Sequence, residues 1–262
     1  MSKDYTPRKI HKLLMGIPSH VILTTKLLKE AGFTHSNIEK YRNYGLLVSV
    51  GSGVYKKRDD VIKWEGIVYG LQNYGSCHYH LGGLSALEVR GVSHFNRSGP
   101  NQIIYIYSND AIVLPKWLRT CNFGVDIKLS NTKFLNADEY IEDLDLGYFS
   151  IKSATRERAI LEVILGIGKY HTFNEANLLM ENLFTLRASV LQRLLELCRS
   201  VRVKRIFLFL AKRNNHGWFK DLDMNKIDLG IGNRQVVRDG VYDSEFKITY
   251  PKGLFENDKI IF

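Results

Sequence analysis

The sequence predicts an α+β protein in which an N-terminal winged helix-turn-helix is followed by a larger mixed α/β region. Helix-spaced apolar residues alternate with short β-rich runs, and 45% of the 262 residues are hydrophobic, enough for the cores of two or three domains. Residues 1–58 hold 11 Lys and Arg against three acids, so they carry most of the net charge of +10. We expect a basic domain at 1–58, an α/β region at 59–152 and a helical region with late strands at 153–262, although 59–262 could fold as one domain.

The basic segment has the pattern of three helices. Apolar spacing predicts a first helix over 7–15 and a second over 22–31. Gly32 stands where a helix-ending residue with positive φ is favoured. Thr34 is a suitable N-cap for a third helix over 35–44. Two helices joined by a tight glycine turn predict a helix-turn-helix.

A basic hairpin follows the third helix. Residues 46–50 and 54–57 have strand composition, and the glycines at 51 and 53 between them permit a tight turn. The hairpin ends in three consecutive cations at 56–58. Three helices and a basic hairpin predict a winged helix, and its positive charge favours a polyanion such as duplex DNA. RNA or a membrane surface would also attract this charge.

The third helix supplies candidate contacts to base edges, because Asn can pair with adenine and Lys with guanine in the major groove. We predict base contacts from Ser36, Asn37, Lys40, Asn43 and Tyr44. We predict phosphate contacts from Arg42, Lys56, Lys57 and Arg58. A solvated helix face would have a similar composition. Under this hypothesis Lys40→Ala relaxes specificity, whereas Lys57→Ala weakens binding to all sequences and flattens its salt dependence.

The middle region combines helices with strands. A helix is predicted from an Asp59-Asp60 cap to about Tyr74, and another over 81–89. Strand composition marks 103–107, 125–129 and 147–151. The acidic run over 138–145 is interpreted as a solvated face.

The C-terminal region is predicted to be mainly helical. Thr155, or else Ser153, is expected to cap a helix over 156–164. Further helices are predicted over 174–184, 187–199 and 201–213, with their many cations solvated. The last predicted elements are two paired strands over 226–230 and 246–251.

No catalytic motif is evident in the chain. It has no GxSxG, HExxH, P-loop or GxGxxG, and its three cysteines form no CxxC pair. The cluster at 77–80 (Cys-His-Tyr-His) is interpreted as an ordinary helix entry rather than a metal site. Asp126 and Lys128 leave a metal-dependent nuclease open as a minor alternative. We predict no catalytic residue, metal or cofactor, and a cytoplasmic location because no targeting or membrane-spanning segment is visible.

Four stretches together resemble the AbiEi family of antitoxin-repressors from type IV toxin–antitoxin systems. They are GLLVSVGSGVY at 45–55, HLGGLSALEVRG at 80–91, LPKWL at 114–118 and SATRERAILE at 153–162. Their order is that of the family and they span most of the chain, whereas the part after about 165 matches only in its general character.

The resemblance implies an autoregulating antitoxin involved in abortive phage infection. Its partners would be double-stranded operator DNA with inverted repeats, bound by the N-terminal domain, and a nucleotidyltransferase toxin. The C-terminal region would counter that toxin without requiring a stable complex. The alternative is a ligand-sensing DNA-binding regulator unrelated to a toxin.

Overall fold

The computed structural model of the protein describes residues 14–74, 78–92, 102–110 and 114–254. The chain divides into two compact units whose segments alternate along the sequence. Unit 1 comprises 1–81, 98–131 and 142–153, and unit 2 comprises 82–97, 132–141 and 154–262. The first predicted helix, at 7–15, lies almost entirely outside the described residues, and the predicted domain limits at 58 and 152 stay predictions.

The winged helix-turn-helix of unit 1 is confirmed. Its elements are β1 (Leu23–Thr24), α1 (Thr25–Glu30), α2 (His35–Asn43), β2 (Leu47–Gly51) and β3 (Val54–Lys57). The three strands form one sheet in the order β1-β3-β2, with antiparallel neighbours. The prediction of a helix from 22 was wrong at its start, because residues 23 and 24 pair with the hairpin before α1 begins.

The core of the winged helix is built from the apolar stripes of its helices. Leu28 of α1 and Ile38 and Tyr41 of α2 are buried together with Leu47 of the hairpin. Phe33, in the turn between the helices, packs its ring at 5.2 Å from that of Tyr41. These contacts fix the rotation of α2, so its opposite face is left to solvent.

A five-stranded sheet also lies in unit 1, apart from its end residues Ile141 and Ala154. Its strands are β4 (Tyr79–Leu81), β5 (Gln102–Ser108), β6 (Val125–Asn131), β7 (Ile141–Asp145) and β8 (Ser150–Ala154). Their order is β6-β5-β4-β8-β7; β4 pairs antiparallel with β5 and parallel with β8, and β5 pairs parallel with β6. One expectation was wrong here, because 79–81 is a strand rather than a helix entry. The acidic run ends in β7, where Glu142, Asp143 and Asp145 are exposed, in agreement with a solvated face.

Helix α3 (Trp64–Gln72) begins later than its predicted cap. Its N-cap is Lys63, which makes no side-chain capping bond. Asp60 is instead buried, with Oδ1 at 4.0 Å from Nδ1 of His20. The acid pair at 59–60 therefore does not cap the helix, contrary to the prediction from the sequence.

Unit 2 is mostly helical, and its helices after residue 155 are those predicted for the C-terminal region. It contains α4 (Gly83–Glu88), α6 (Arg156–Leu165), α7 (Phe173–Glu181), α8 (Ala188–Leu197) and α9 (Val201–Arg213), then two 3-10 turns (Gly217–Asp221 and Met224–Lys226) and the antiparallel pair β9 (Val241–Asp243) and β10 (Ile248–Tyr250). Helix α5 (Lys116–Thr120) belongs to unit 1. Thr155 is confirmed as the N-cap of α6, since its hydroxyl accepts a bond from the amide of Arg158.

Two expectations for unit 2 were wrong. Residues 226–230 are not a strand, and Lys204 and Arg205 are buried rather than solvated. The Arg205 guanidinium donates to the carbonyls of Leu229 and Gly230, which satisfies backbone groups that a sheet partner would otherwise bond. A buried arginine therefore organises this segment in place of strand pairing.

Candidate nucleic-acid interface

The turn between α1 and α2 is fixed by local bonds. Gly32 has φ of +93°, and the amide of Phe33 donates to the carbonyl of Leu28. Thr34 then caps α2: its backbone is extended, and its hydroxyl accepts a bond of 3.2 Å from the amide of Asn37. The start and axis of α2 are thus set by Gly32 and Thr34, the residues on which the sequence prediction was based.

The outer face of α2 carries most of the predicted base-contact residues. Ser36, Lys40, Asn43 and Tyr44 are exposed. The Tyr44 side chain is the most prominent apolar group here, with 64% of its surface accessible. Hydroxyl, ammonium, amide and phenol groups on one helix face can donate to and accept from base edges.

The prediction for Asn37 was wrong. Only 5% of this residue is exposed, because it lies on the inner side of α2 next to Ile38. Its side-chain nitrogen has no hydrogen-bond partner among the described residues. A side chain enclosed in this way cannot reach a base edge without rotation of the helix.

The predicted phosphate-contact residues already bond within the chain. Nη1 of Arg42 donates to both carboxylate oxygens of Glu39 on α2, at 2.8 and 2.9 Å. The Arg58 guanidinium donates to the carbonyls of Gly45 and Tyr44, at the end of the same helix. Arg42 and Arg58 nevertheless remain exposed. Their charges can therefore act on a nearby polyanion.

The two hairpin lysines are less accessible. The ammonium of Lys56 donates to the carbonyl of Asp60 at 2.7 Å. That of Lys57 donates to the carbonyl of Ile17 at 2.6 Å and to the hydroxyl of Ser19 at 3.3 Å. Burial lowers the pKa of Lys57, against an opposing effect of the Asp60 carboxylate. We therefore remove Lys57 from the proposed phosphate contacts, because its ammonium joins the hairpin to the segment before β1.

We expect Lys57→Met to lower the free energy of unfolding by about 1–2 kcal/mol, the scale of lost hydrogen bonds to a charged donor. The salt dependence of DNA affinity should not change. Urea unfolding and a salt titration of operator binding measure the two effects, with the exposed Lys220→Met as control. A flatter salt slope with unchanged stability would restore Lys57 as a phosphate contact.

Helix α5 supports the tip of the hairpin, a contact that the sequence reasoning missed. The Cys121 thiol donates to the carbonyl of Val50 at 2.7 Å. A Cβ on Gly51 would lie 3.2 Å from the Cys121 sulfur and 3.5 Å from the Trp117 Cβ, so glycine permits this close packing. On the other side, the amide of Thr25 donates to the carbonyl of Gly53. The hairpin is thus held from both sides.

The minor alternatives from the sequence gain no geometric support. Asp126 and Lys128 are exposed on β6, and His80 is buried in β4 with its ring stacked on Tyr107. In the described ranges, no three His, Cys, Asp or Glu side chains come together as metal ligands. No helix in those ranges is both long and apolar enough to cross a bilayer.

Two family models match nearly the whole chain. Residues 6–97 match the N-terminal domain of the AbiEi antitoxin transcriptional regulators, and residues 101–251 match the AbiEi antitoxin transcriptional regulator of type IV toxin–antitoxin systems. The chain belongs to the AbiEi antitoxin family. The resemblance found in the sequence is thereby confirmed, and with it the class of transcriptional regulator.

A solved structure has a fold similar to the one described above. The crystal structure of the Rv2827c protein from Mycobacterium tuberculosis is 16% identical, with a TM-score of 0.60 over 92% of this chain and 89% of that one. No curated protein matches the chain. At this identity the likeness concerns the fold alone.

Proposed function

We propose that this AbiEi chain is a cytoplasmic autorepressor that binds inverted repeats in its own promoter through α2. In this proposal α2 enters the major groove of duplex DNA. The region after residue 58 counters a nucleotidyltransferase toxin encoded in the same operon, without a stable complex, as part of abortive infection. The family assignment supports the pairing of repression with antitoxicity.

The proposal of DNA binding rests on the division of α2 into a buried face and an exposed face. Ile38 and Tyr41 anchor one face in the core, whereas Lys40 and Asn43 lie on the other. The N-cap and the core contacts already fix the backbone of α2 in the free protein. Binding through these groups therefore does not require the entropy cost of ordering that backbone. A preordered polar helix face with a central lysine suits direct readout.

The phosphate contacts are proposed for the cations around this face. Arg42 and Arg58 are exposed, and Lys56 is partly so. Arg58 is bonded to the last turn of α2, so its position moves with that of the helix. Contacts of this kind fix the register of a protein on the duplex but do not read its sequence.

Lys40→Ala is expected to weaken operator binding by about 1–3 kcal/mol and to reduce the preference for operator over scrambled DNA. Fluorescence anisotropy with both duplexes, at several salt concentrations, measures the two effects. Lys220→Ala is the matched control, since it removes the same charge from an exposed site of unit 2. Equal effects of the two variants would show that α2 contributes charge alone and does not read bases.

The division of labour between the two regions can be tested in cells. A Lys40→Ala/Asn43→Ala variant should lose repression of a promoter reporter while still restoring growth of cells that express the adjacent toxin gene. Antibody detection should confirm equal protein levels. If this variant lost growth rescue as well, repression and antitoxicity would depend on the same surface, contrary to the proposal.

A further inference from the structure

Unit 1 contains a cavity beside the first turn of α3. Its volume is about 320 Å³, within the roughly 300–1,000 Å³ that is usual for small-molecule sites. It is lined by His20, by Val61 and the first turn of α3, and by the turn at 146–149 that joins β7 to β8. All of these described lining residues belong to unit 1.

The lining of the cavity is held in place by bonds within the protein. The amide of Val61 donates to Nδ1 of His20 at 3.3 Å. In the turn after β7, the amide of Leu146 donates to the carbonyl of Phe149 at 3.0 Å. The Phe149 ring in turn contacts the ring of Tyr69 on α3, with 5.1 Å between their centroids. The cavity is therefore formed in advance, and a ligand does not have to order these segments when it binds.

Most of the lining is apolar or aromatic. Val61 and Tyr148 are 66% and 74% exposed, which is a large apolar exposure for two residues beside one opening. The Tyr148 and His20 rings lie edge to face, with their centroids 5.8 Å apart, and Leu146 and Phe149 add further apolar surface. An aliphatic or aromatic ligand body placed here would remove this surface from water, which favours binding.

The lining also carries one cation and one anion, besides the imidazole of His20. They are Lys63, the N-cap residue of α3, and Glu65, two positions later. Within the described part of the chain, Oε2 of Glu65 is shielded from solvent and has no hydrogen-bond partner. A buried carboxylate oxygen without a donor is unfavourable. Because the terminal torsion of glutamate is soft, this oxygen can turn toward a donor inside the cavity.

We propose that the cavity binds a free amino acid with an apolar or aromatic side chain, a role beyond the repression and antitoxicity proposed above. The ammonium of the ligand donates to the Glu65 carboxylate, and its carboxylate faces the Lys63 ammonium. Its side chain lies among Leu146, Tyr148 and Phe149. A zwitterion complements both charges of the lining, whereas an amine or an acid alone leaves one of them without a counterpart.

Ligand analogues test the charge pattern on the full chain. L-Phenylalanine, 2-phenylethylamine and 3-phenylpropionate have the same ring but carry both charges, the cation alone and the anion alone. Calorimetric titration should show saturable binding of L-phenylalanine, roughly fivefold tighter than that of either analogue, the scale of a partly exposed ion pair. Glycine has both charges without an apolar body and should bind far more weakly. An analogue or glycine that binds as tightly as L-phenylalanine, or no binding of L-phenylalanine at millimolar concentration, contradicts the proposal.

Substitutions in the lining separate the two charged contacts. Glu65→Gln should weaken L-phenylalanine and 2-phenylethylamine binding by roughly fivefold and leave 3-phenylpropionate unchanged. Lys63→Met should weaken L-phenylalanine and 3-phenylpropionate binding and leave 2-phenylethylamine unchanged. Glu30→Gln, at an exposed acid of α1 outside the lining, is the control. Because a distorted cavity would lose all three ligands alike, the selective pattern is decisive, and its absence overturns the assignment of the charges.

An aromatic substitution locates the ligand body. Tyr148→Ala should weaken L-phenylalanine binding by roughly three- to tenfold, the scale of one aromatic contact. Tyr242→Ala removes a partly exposed tyrosine of unit 2 and should have no effect. Equal affinities of the two variants would place L-phenylalanine outside this cavity and refute the site.

Discussion

Replacing Glu162 with alanine is expected to lower the free energy of unfolding by about 3–5 kcal/mol, the cost of leaving a buried charge without its partner. Glu162 and Arg158 lie one turn apart on α6, and their side chains are 0% and 1% exposed. The bond between them is 2.8 Å. Without the carboxylate, the guanidinium charge would stay enclosed with only neutral partners.

The Glu162 carboxylate also holds a second element in place. Its other oxygen accepts a bond of 2.8 Å from the amide of Gly83, at the start of α4. The Arg158 guanidinium in turn donates to the carbonyls of Asn136 and Glu139. The pair therefore joins three segments of unit 2, and its removal affects all of them.

Urea unfolding of Glu162→Ala and of a variant at a surface ion pair tests this prediction. Lys212 and Glu245 form an ion pair at 2.6 Å whose side chains are about half exposed, so Glu245→Ala should cost about 0–1 kcal/mol. Hydrogen exchange should show reduced protection of the backbone amides of α4, α6 and residues 136–139 in Glu162→Ala. Similar costs for the two variants would mean that water reaches the 158–162 pair and that its burial is overstated.

The Arg158–Glu162 network also connects two of the stretches that carry the resemblance to the family. Gly83 belongs to the stretch at 80–91, and Arg158 and Glu162 belong to the one at 153–162. Their bond gives this pair of stretches a structural role in unit 2. It does not require either of them to contact DNA or a toxin.

The sequence predicted well the elements that are specified locally. Thr34 and Thr155 cap their helices through their own hydroxyls, and the hairpin turns at Gly53, whose φ is +69°. Each of these signals depends on residues within a few positions along the chain. This is why α2 and its exposed face could be placed before the structure was known.

The elements that the sequence missed depend on distant partners. Strand β1 has two residues and β4 three, too short for a period-2 pattern, and both exist because they pair with later strands. The inward position of Lys57 depends on the carbonyl of Ile17, 40 residues earlier. A lysine in a basic hairpin has the same local sequence whether it faces a phosphate or a buried carbonyl.

A second large effect is expected at Gly66 of α3, where alanine should destabilise unit 1 by about 2–3 kcal/mol, within the range for overpacked interiors. A Cβ there would overlap the carbonyl oxygen of His20 and lie 3.0 Å from the Cα of Val21. Both obstacles are backbone atoms, which cannot rotate away. The carbonyl of Gly66 also accepts a bond of 3.1 Å from the amide of Ile22, which any separation would weaken.

Helix propensity alone predicts the opposite sign, since replacing glycine with alanine inside a helix gains up to about 1 kcal/mol. Gly217→Ala is the control, because no atom lies within 4 Å of its would-be Cβ. We expect urea unfolding to show a loss for Gly66→Ala and little change for Gly217→Ala. We also expect operator affinity to fall for Gly66→Ala, since residues 20–22 lead directly into β1 and α1. A stabilised Gly66→Ala variant would show that α3 does not pack this closely against the winged helix.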